Sequence, residues 1–113
     1  AETFGARGHV VWDQDVPAVE NDPVIGKILR TAAEKIVGED HILEIGKQTG
    51  SDDFSYFSSK VPGYYLWLGC GWSDKENPMI HNEYFNPDEN CMPIGAAVYV
   101  QAVMDFLRPE SEV

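Results

Sequence analysis

Apolar side chains recur at Ile25, Ile28, Leu29, Ala32, Ala33 and Ile36, and this spacing of three and four predicts an amphipathic helix. Asn21 or Asp22 ahead of Pro23 marks its start and Gly38 its stop, so the helix is expected to run to about Val37. A last helix, from about Met92 to Leu107, is expected to bury Ile94, Ala97, Val98, Val103 and Phe106. Between them, Gly50-Ser51-Asp52-Asp53-Phe54-Ser55-Tyr56-Phe57 reads as a glycine turn, an N-cap serine and two carboxylates in a first helical turn, opening a short helix from Asp52 to about Ser59. Three runs read as strands: residues 8–14, His41 to Ile45, and the compact apolar run Tyr64 to Leu68. Asp15 to Asn21, with Pro17, reads as a connector. Strands alternating with helices argue for an α/β layer architecture. No repeat or low-complexity tract interrupts it.

Composition changes this picture little. The chain is 43% hydrophobic, 12% aromatic and 24% charged, ordinary for a globular piece with a real core. Charge says more. Nineteen acidic residues against eight basic ones give a formal net charge of -11, which opposes nucleic-acid phosphates and anionic lipid surfaces as partners. No apolar run approaches the roughly 20 residues needed to span a bilayer, and a cytoplasmic location is the default expectation. Cys70 and Cys91 lack the close spacing of a metal or disulfide framework and read as free thiols. His9 and His41 fall in or beside expected strands, and Trp12, Trp67 and Trp72 are expected to fill cores or interdomain seams.

The remaining chemistry centres on Pro78-Met79-Ile80-His81-Asn82-Glu83-Tyr84-Phe85-Asn86-Pro87-Asp88-Glu89, where a polar, turn-prone loop presents one imidazole just ahead of a helix. Loops held by a rigid scaffold are where chemistry collects. A lone histidine is not a site, and on spacing alone Asp52 and Asp53 are better read as helix-start carboxylates than as an acid/base pair.

Taken in order, Gly-Ser-Asp-Asp-Phe-Ser-Tyr-Phe, Val61-Pro62-Gly63, Leu68-Gly69, His81-Asn82 with Phe85 and Asp88-Glu89, then Pro93-Ile94-Gly95-Ala96-Ala97, resemble the carboxy-terminal end of the M20 metallopeptidase and amidohydrolase family, in the branch of hippurate hydrolases, N-acyl-amino-acid amidohydrolases and auxin-conjugate hydrolases. The resemblance spans roughly residues 17 to 108. It implies an incomplete zinc-peptidase-like α/β/α catalytic domain over residues 19–113, preceded at 1–18 by the last strand of an α+β lid, or dimerisation, domain and a connector. It makes His81 a ligand to one of two divalent ions, zinc, manganese, cobalt or nickel. The Gly50-Ser51 turn itself reads as pocket wall, with backbone N–H groups that a helix start can offer to a substrate carboxylate.

The family's Cys/His-x-x-Gly-His-Asp segment and Glu-Glu pair are absent, since Gly8-His9 is followed by Val10, and the chain starts at Ala1. The resemblance therefore implies a carboxy-terminal portion of a longer enzyme, whose other ligands and general base lie in the remainder of its own chain. The whole would cleave the amide of N-acyl amino acids or small conjugates, with homo-oligomerisation possible, and the 113 residues alone are expected to be inactive. No catalytic residue is assigned within them. The competing reading is a non-catalytic folding, interaction or dimerisation module. Two departures from the family pattern stand out: Asp52 where Glu is common, and Glu83 where proline is frequent.

Overall fold

The computed structural model describes residues 1–13 and 16–108. Three α-helices order the chain: α1 over Pro23–Val37, α2 over Phe54–Ser58 and α3 over Cys91–Phe106, with single 3-10 turns at Glu2–Phe4 and Glu39–His41. The start of α1 follows from its sequence. Asp22 Oδ1 accepts from the backbone N–H of Val24 and Ile25 at 2.9 and 3.0 Å, and Pro23 needs no donor partner in the first turn. Gly38 ends it with φ 83°. Helix α3 begins one residue before the expected position and ends one residue before the expected Leu107.

The buried face of α3 differs from the expected one. Gly95, Val98 and Ala102 are buried, whereas Ile94, Val103 and Phe106 are exposed. Small residues win the contact because they let the helices approach closely: Leu29 and Ala32 of α1 meet Ala102 of α3 to form the core. Lys35 ties the same helices together, donating to both carboxylate oxygens of Asp105 at 2.7 Å, while Gln101 donates to Asp105 Oδ1 at 3.0 Å. These bonds hold the Asp105 carboxyl below its ordinary value, the Lys35 hydrogen bond being the largest cause.

Across the helix pair lies the apolar run 64–68. Tyr64 and Leu66 pack against the α1–α3 core, and Leu68 lies against α3 at Gly95. Alternate residues thus face the helices, as in a strand with one covered side. Tyr65 turns the other way, its ring 5.4 Å from that of Phe54. Among the described residues no segment is paired into a β-ladder: residues 8–13 and 42–45 are irregular, residues 39–41 form the 3-10 turn, and residue 14 of the first expected strand lies outside the described residues. A ladder is made only when a neighbouring strand supplies donors and acceptors. For Tyr65 a side chain does so instead. The Asn21 amide accepts from Tyr65 N at 2.7 Å and donates to Tyr65 O at 3.2 Å, while Asp22 N donates to Gly63 O at 2.8 Å.

The radius of gyration is 19.8 Å, against about 13 Å for a compact domain of this length. Much apolar surface is correspondingly open. Ile25, Ile28, Tyr99, Val103 and Phe106 line an apolar groove between α1 and α3. Trp12, expected in a core or seam, is 88% exposed. No helix among the described residues is long and apolar enough to cross a membrane.

Two outcomes test this packing. A Cβ on Gly26 would lie 2.5 Å from the Tyr64 ring. Gly26→Ala is therefore expected to destabilise the fold by about 1–3 kcal/mol in denaturant titration, although alanine favours an exposed helix by about 1 kcal/mol over glycine. Gly46→Ala, in open space, should be close to neutral. For Asp105, whose folded pKa is depressed, the linked stability is present above the ordinary value of 3.8 and is lost as pH falls toward the lowered one. Acid titration of unfolding should show that component in the parent and lack it in Asp105→Asn.

Candidate functional site

Three polar segments carry the candidate residues, and only the first touches the 64–68 run, through the Asp52–Tyr65 bond. The first precedes α2. Ser51 does not cap this helix, in contrast to the sequence expectation: Asp53 holds the N-cap position, and Asp52, one residue ahead of it, accepts from Phe54 N through Oδ1 at 2.8 Å. Serine offers a single hydroxyl. Asp52 instead uses its second oxygen as well, accepting from the Tyr65 hydroxyl at 2.9 Å. That bond raises the Tyr65 hydroxyl above its ordinary value of 10.0, with burial and the Asp52 charge adding to the shift. Gly50 and Ser51 lie just ahead of this anchor and are exposed. Asp53 is exposed, stands at the helix start and makes no side-chain cap bond.

The second segment, residues 70–77, is organised by Asn77 and Trp72. The Asn77 side chain accepts from Trp72 N at 2.7 Å and donates to Trp72 O at 2.8 Å, and the indole N–H of Trp72 donates to Asn86 O at 2.8 Å. Lys75 Nζ lies 3.7 Å from the centroid of the Trp72 ring. Trp72 is thus a loop staple, where the sequence reading made it a core or seam residue.

Third comes the His81 loop. Cys70 O accepts from Asp88 N at 2.8 Å, and the Trp72–Asn86 bond closes the same stretch, so residues 78–86 project as a loop from a closed base. His81 sits near its middle with φ 65°, the one non-glycine residue at positive φ among the described residues. This left-handed conformation is uncommon for residues with a Cβ, and such outliers concentrate at functional sites. Asn82 Oδ1 accepts from Tyr84 N at 2.9 Å in the next turn, and Asn82 O accepts from Phe85 N at 3.0 Å. These bonds shape the backbone that presents the exposed imidazole.

Among the described residues, no group of three or more His, Cys, Asp or Glu side chains could hold a metal ion. His81 supplies at most one ligand, whereas catalytic zinc sites generally take three from protein. The residues present do not build a metal centre by themselves. Cys70 and Cys91 are free and partly buried, and His9 and His41 are both exposed.

Spacing alone pointed to the His81 loop but missed the Asp52–Tyr65 pair. The signal available was a tyrosine alternating out of an apolar run beside an aspartate-rich turn.

Comparison with known proteins adds identity to this geometry. The family described as peptidase family M20/M25/M40 matches residues 7–105. An N-acetyldiaminopimelate deacetylase of Streptococcus suis is 36% identical over 80% of this chain and 22% of its own length. An IAA-amino acid hydrolase of Arabidopsis thaliana is 24% identical over 87% of the chain and 22% of its own. A Rhodococcus jostii protein bearing the name glutamate–cysteine ligase is 34% identical over 86% of the chain, but the match covers 12% of it. The chain thus spans less than a quarter of each of these relatives. No solved structure matches.

Titration checks the bond at the centre of the site. Because the folded state favours the protonated Tyr65, the linked stability is complete below pH 10.0 and is lost as pH rises through the raised value. Ultraviolet titration should show one late-ionising tyrosine, which Asp52→Ala returns toward the ordinary range. An unchanged curve would mean that the hydrogen bond does not form.

Proposed function

Because the chain belongs to peptidase family M20/M25/M40, we propose that it is one segment of a longer metal-dependent amidohydrolase that cleaves the amide of N-acyl amino acids or related small conjugates. The observation that carries this reading is His81, an imidazole held at φ 65° within the matched segment. The names of two relatives support the substrate class, since one is a hydrolase of an amino-acid conjugate and the other removes an N-acetyl group.

In this reading His81 would be the residue of this chain that holds one of two divalent ions through a ring nitrogen, and the other ligands and the general base would come from the rest of the protein. Such ions, when bound, acidify a water and polarise the scissile carbonyl. The chain's own residues do the positioning. The Cys70–Asp88 and Trp72–Asn86 bonds hold the base of the His81 loop, and Gly50 and Ser51 offer backbone N–H groups to the substrate carboxylate. The apolar groove between α1 and α3 is then covered by the remainder of the same protein, which accounts for its exposure here.

In the longer protein, His81→Ala is expected to empty one metal position and lower hydrolysis of N-acyl amino acids by at least about 100-fold at saturating metal. Asp53→Asn should leave turnover within about threefold, because it alters only an exposed helix-start carboxylate. Metal analysis alongside turnover makes the check. Near-normal metal content and turnover in His81→Ala would contradict the reading.

A further inference from the structure

We propose that Trp72 is a positioning residue for His81, pinning both ends of the loop that carries the imidazole and so setting how tightly that position holds its divalent ion. The inference rests on the reading above, in which His81 is a metal ligand, and it makes Asn77 the partner through which Trp72 acts at one of the two ends.

The loop over residues 78–86 lies between Asn77 and its own last residue, Asn86, and both meet the same tryptophan. At the entry, the Asn77 side chain accepts from Trp72 N at 2.7 Å and donates to Trp72 O at 2.8 Å. A further bond, Asn77 Nδ2 to Lys75 O at 3.3 Å, ties down the turn between them. At the exit, the indole N–H of Trp72 donates to Asn86 O at 2.8 Å. The ring that carries this donor is half-buried, with Lys75 Nζ 3.7 Å from its centroid. Gly71 leaves the room that the entry needs, since a Cβ there would lie 3.2 Å from Asn77 Oδ1.

Between these two pins the loop bonds to itself. Asn82, which follows His81, accepts from Tyr84 N through Oδ1 and from Phe85 N through its backbone oxygen, so its bonds reach the residue before Asn86. Fixing Asn86 thus restrains Phe85 and, through it, Asn82 and His81. The φ of 65° at His81 is a conformation that a residue with a Cβ keeps only where its surroundings over-determine it. A loop with free ends has more conformations to lose when its imidazole is held, and pinning the ends removes part of that cost beforehand. Cutting either pin should therefore weaken the hold on the ion at this position and spare the other.

The test uses the longer protein, with zinc alone as the probe. Trp72→Phe keeps an aromatic ring beside Lys75 and removes the single N–H, whereas Asn77→Ala cuts the entry and leaves the indole bond. In the metal-free protein each should speed hydrogen–deuterium exchange across residues 78–86 while thermal melts stay close to the parent's. In zinc titration each should raise the dissociation constant about five- to tenfold, the size of one lost hydrogen bond, at the position that His81→Ala empties. The second position should keep its parent affinity, which a general loss of stability would not allow.

The two variants cut independent bonds, so if one fails to fold the other decides. Parent-like exchange over 78–86, parent-like zinc affinity at the His81 position, or equal weakening of both positions would overturn the inference while leaving the hydrolase reading intact. Unchanged zinc binding in His81→Ala would overturn the reading of His81 as a ligand and this inference with it.

Discussion

The fit of one apolar run onto two helices organises the rest of the molecule. Tyr64 approaches α1 at Gly26 and Leu68 approaches α3 at Gly95, at positions where any larger residue would clash. Leu66 and Tyr64 close over the Leu29–Ala32–Ala102 core between them. Once the even-numbered residues of this run face the helices, Tyr65 must face away. Its hydroxyl then meets Asp52 and its backbone meets Asn21. The polar side of the molecule is therefore a consequence of the apolar side.

This arrangement leaves much apolar surface open. Helix α3 carries apolar residues all round, as helices buried on every side do, yet Tyr99, Val103 and Phe106 stand exposed. The 64–68 run alternates like a strand but takes its backbone partner from a side chain.

How much of this was legible beforehand depended on whether the determining contact was local. The limits of α1 could be read from Asp22, Pro23 and Gly38 because caps act within a few residues. The buried stripe of α3 could not be read from hydrophobicity. Ile94, Val103 and Phe106 are more apolar than Gly95 and Ala102, but close packing against α1 selects Ala102 and the Leu68 side chain fills the space over Gly95. Ser51 was expected to serve the start of α2, but Asp52 takes Phe54 N and the distant Tyr65 hydroxyl together. That pairing spans 13 residues and has no periodic signature. The His81 loop was legible as a turn, while its left-handed backbone and its closure by Trp72 and Cys70 were not. A metal centre could not be completed from this chain, because one imidazole does not make a coordination sphere.

As proposed above, the left-handed backbone at His81 presents an imidazole to a metal. A crystal structure of the longer protein with zinc bound, located by its anomalous scattering, tests that claim most directly. The account predicts a His81 ring nitrogen about 2.0–2.1 Å from a zinc ion, with the backbone still left-handed. A fully ligated metal centre with His81 turned to solvent, beyond bonding distance, would contradict it.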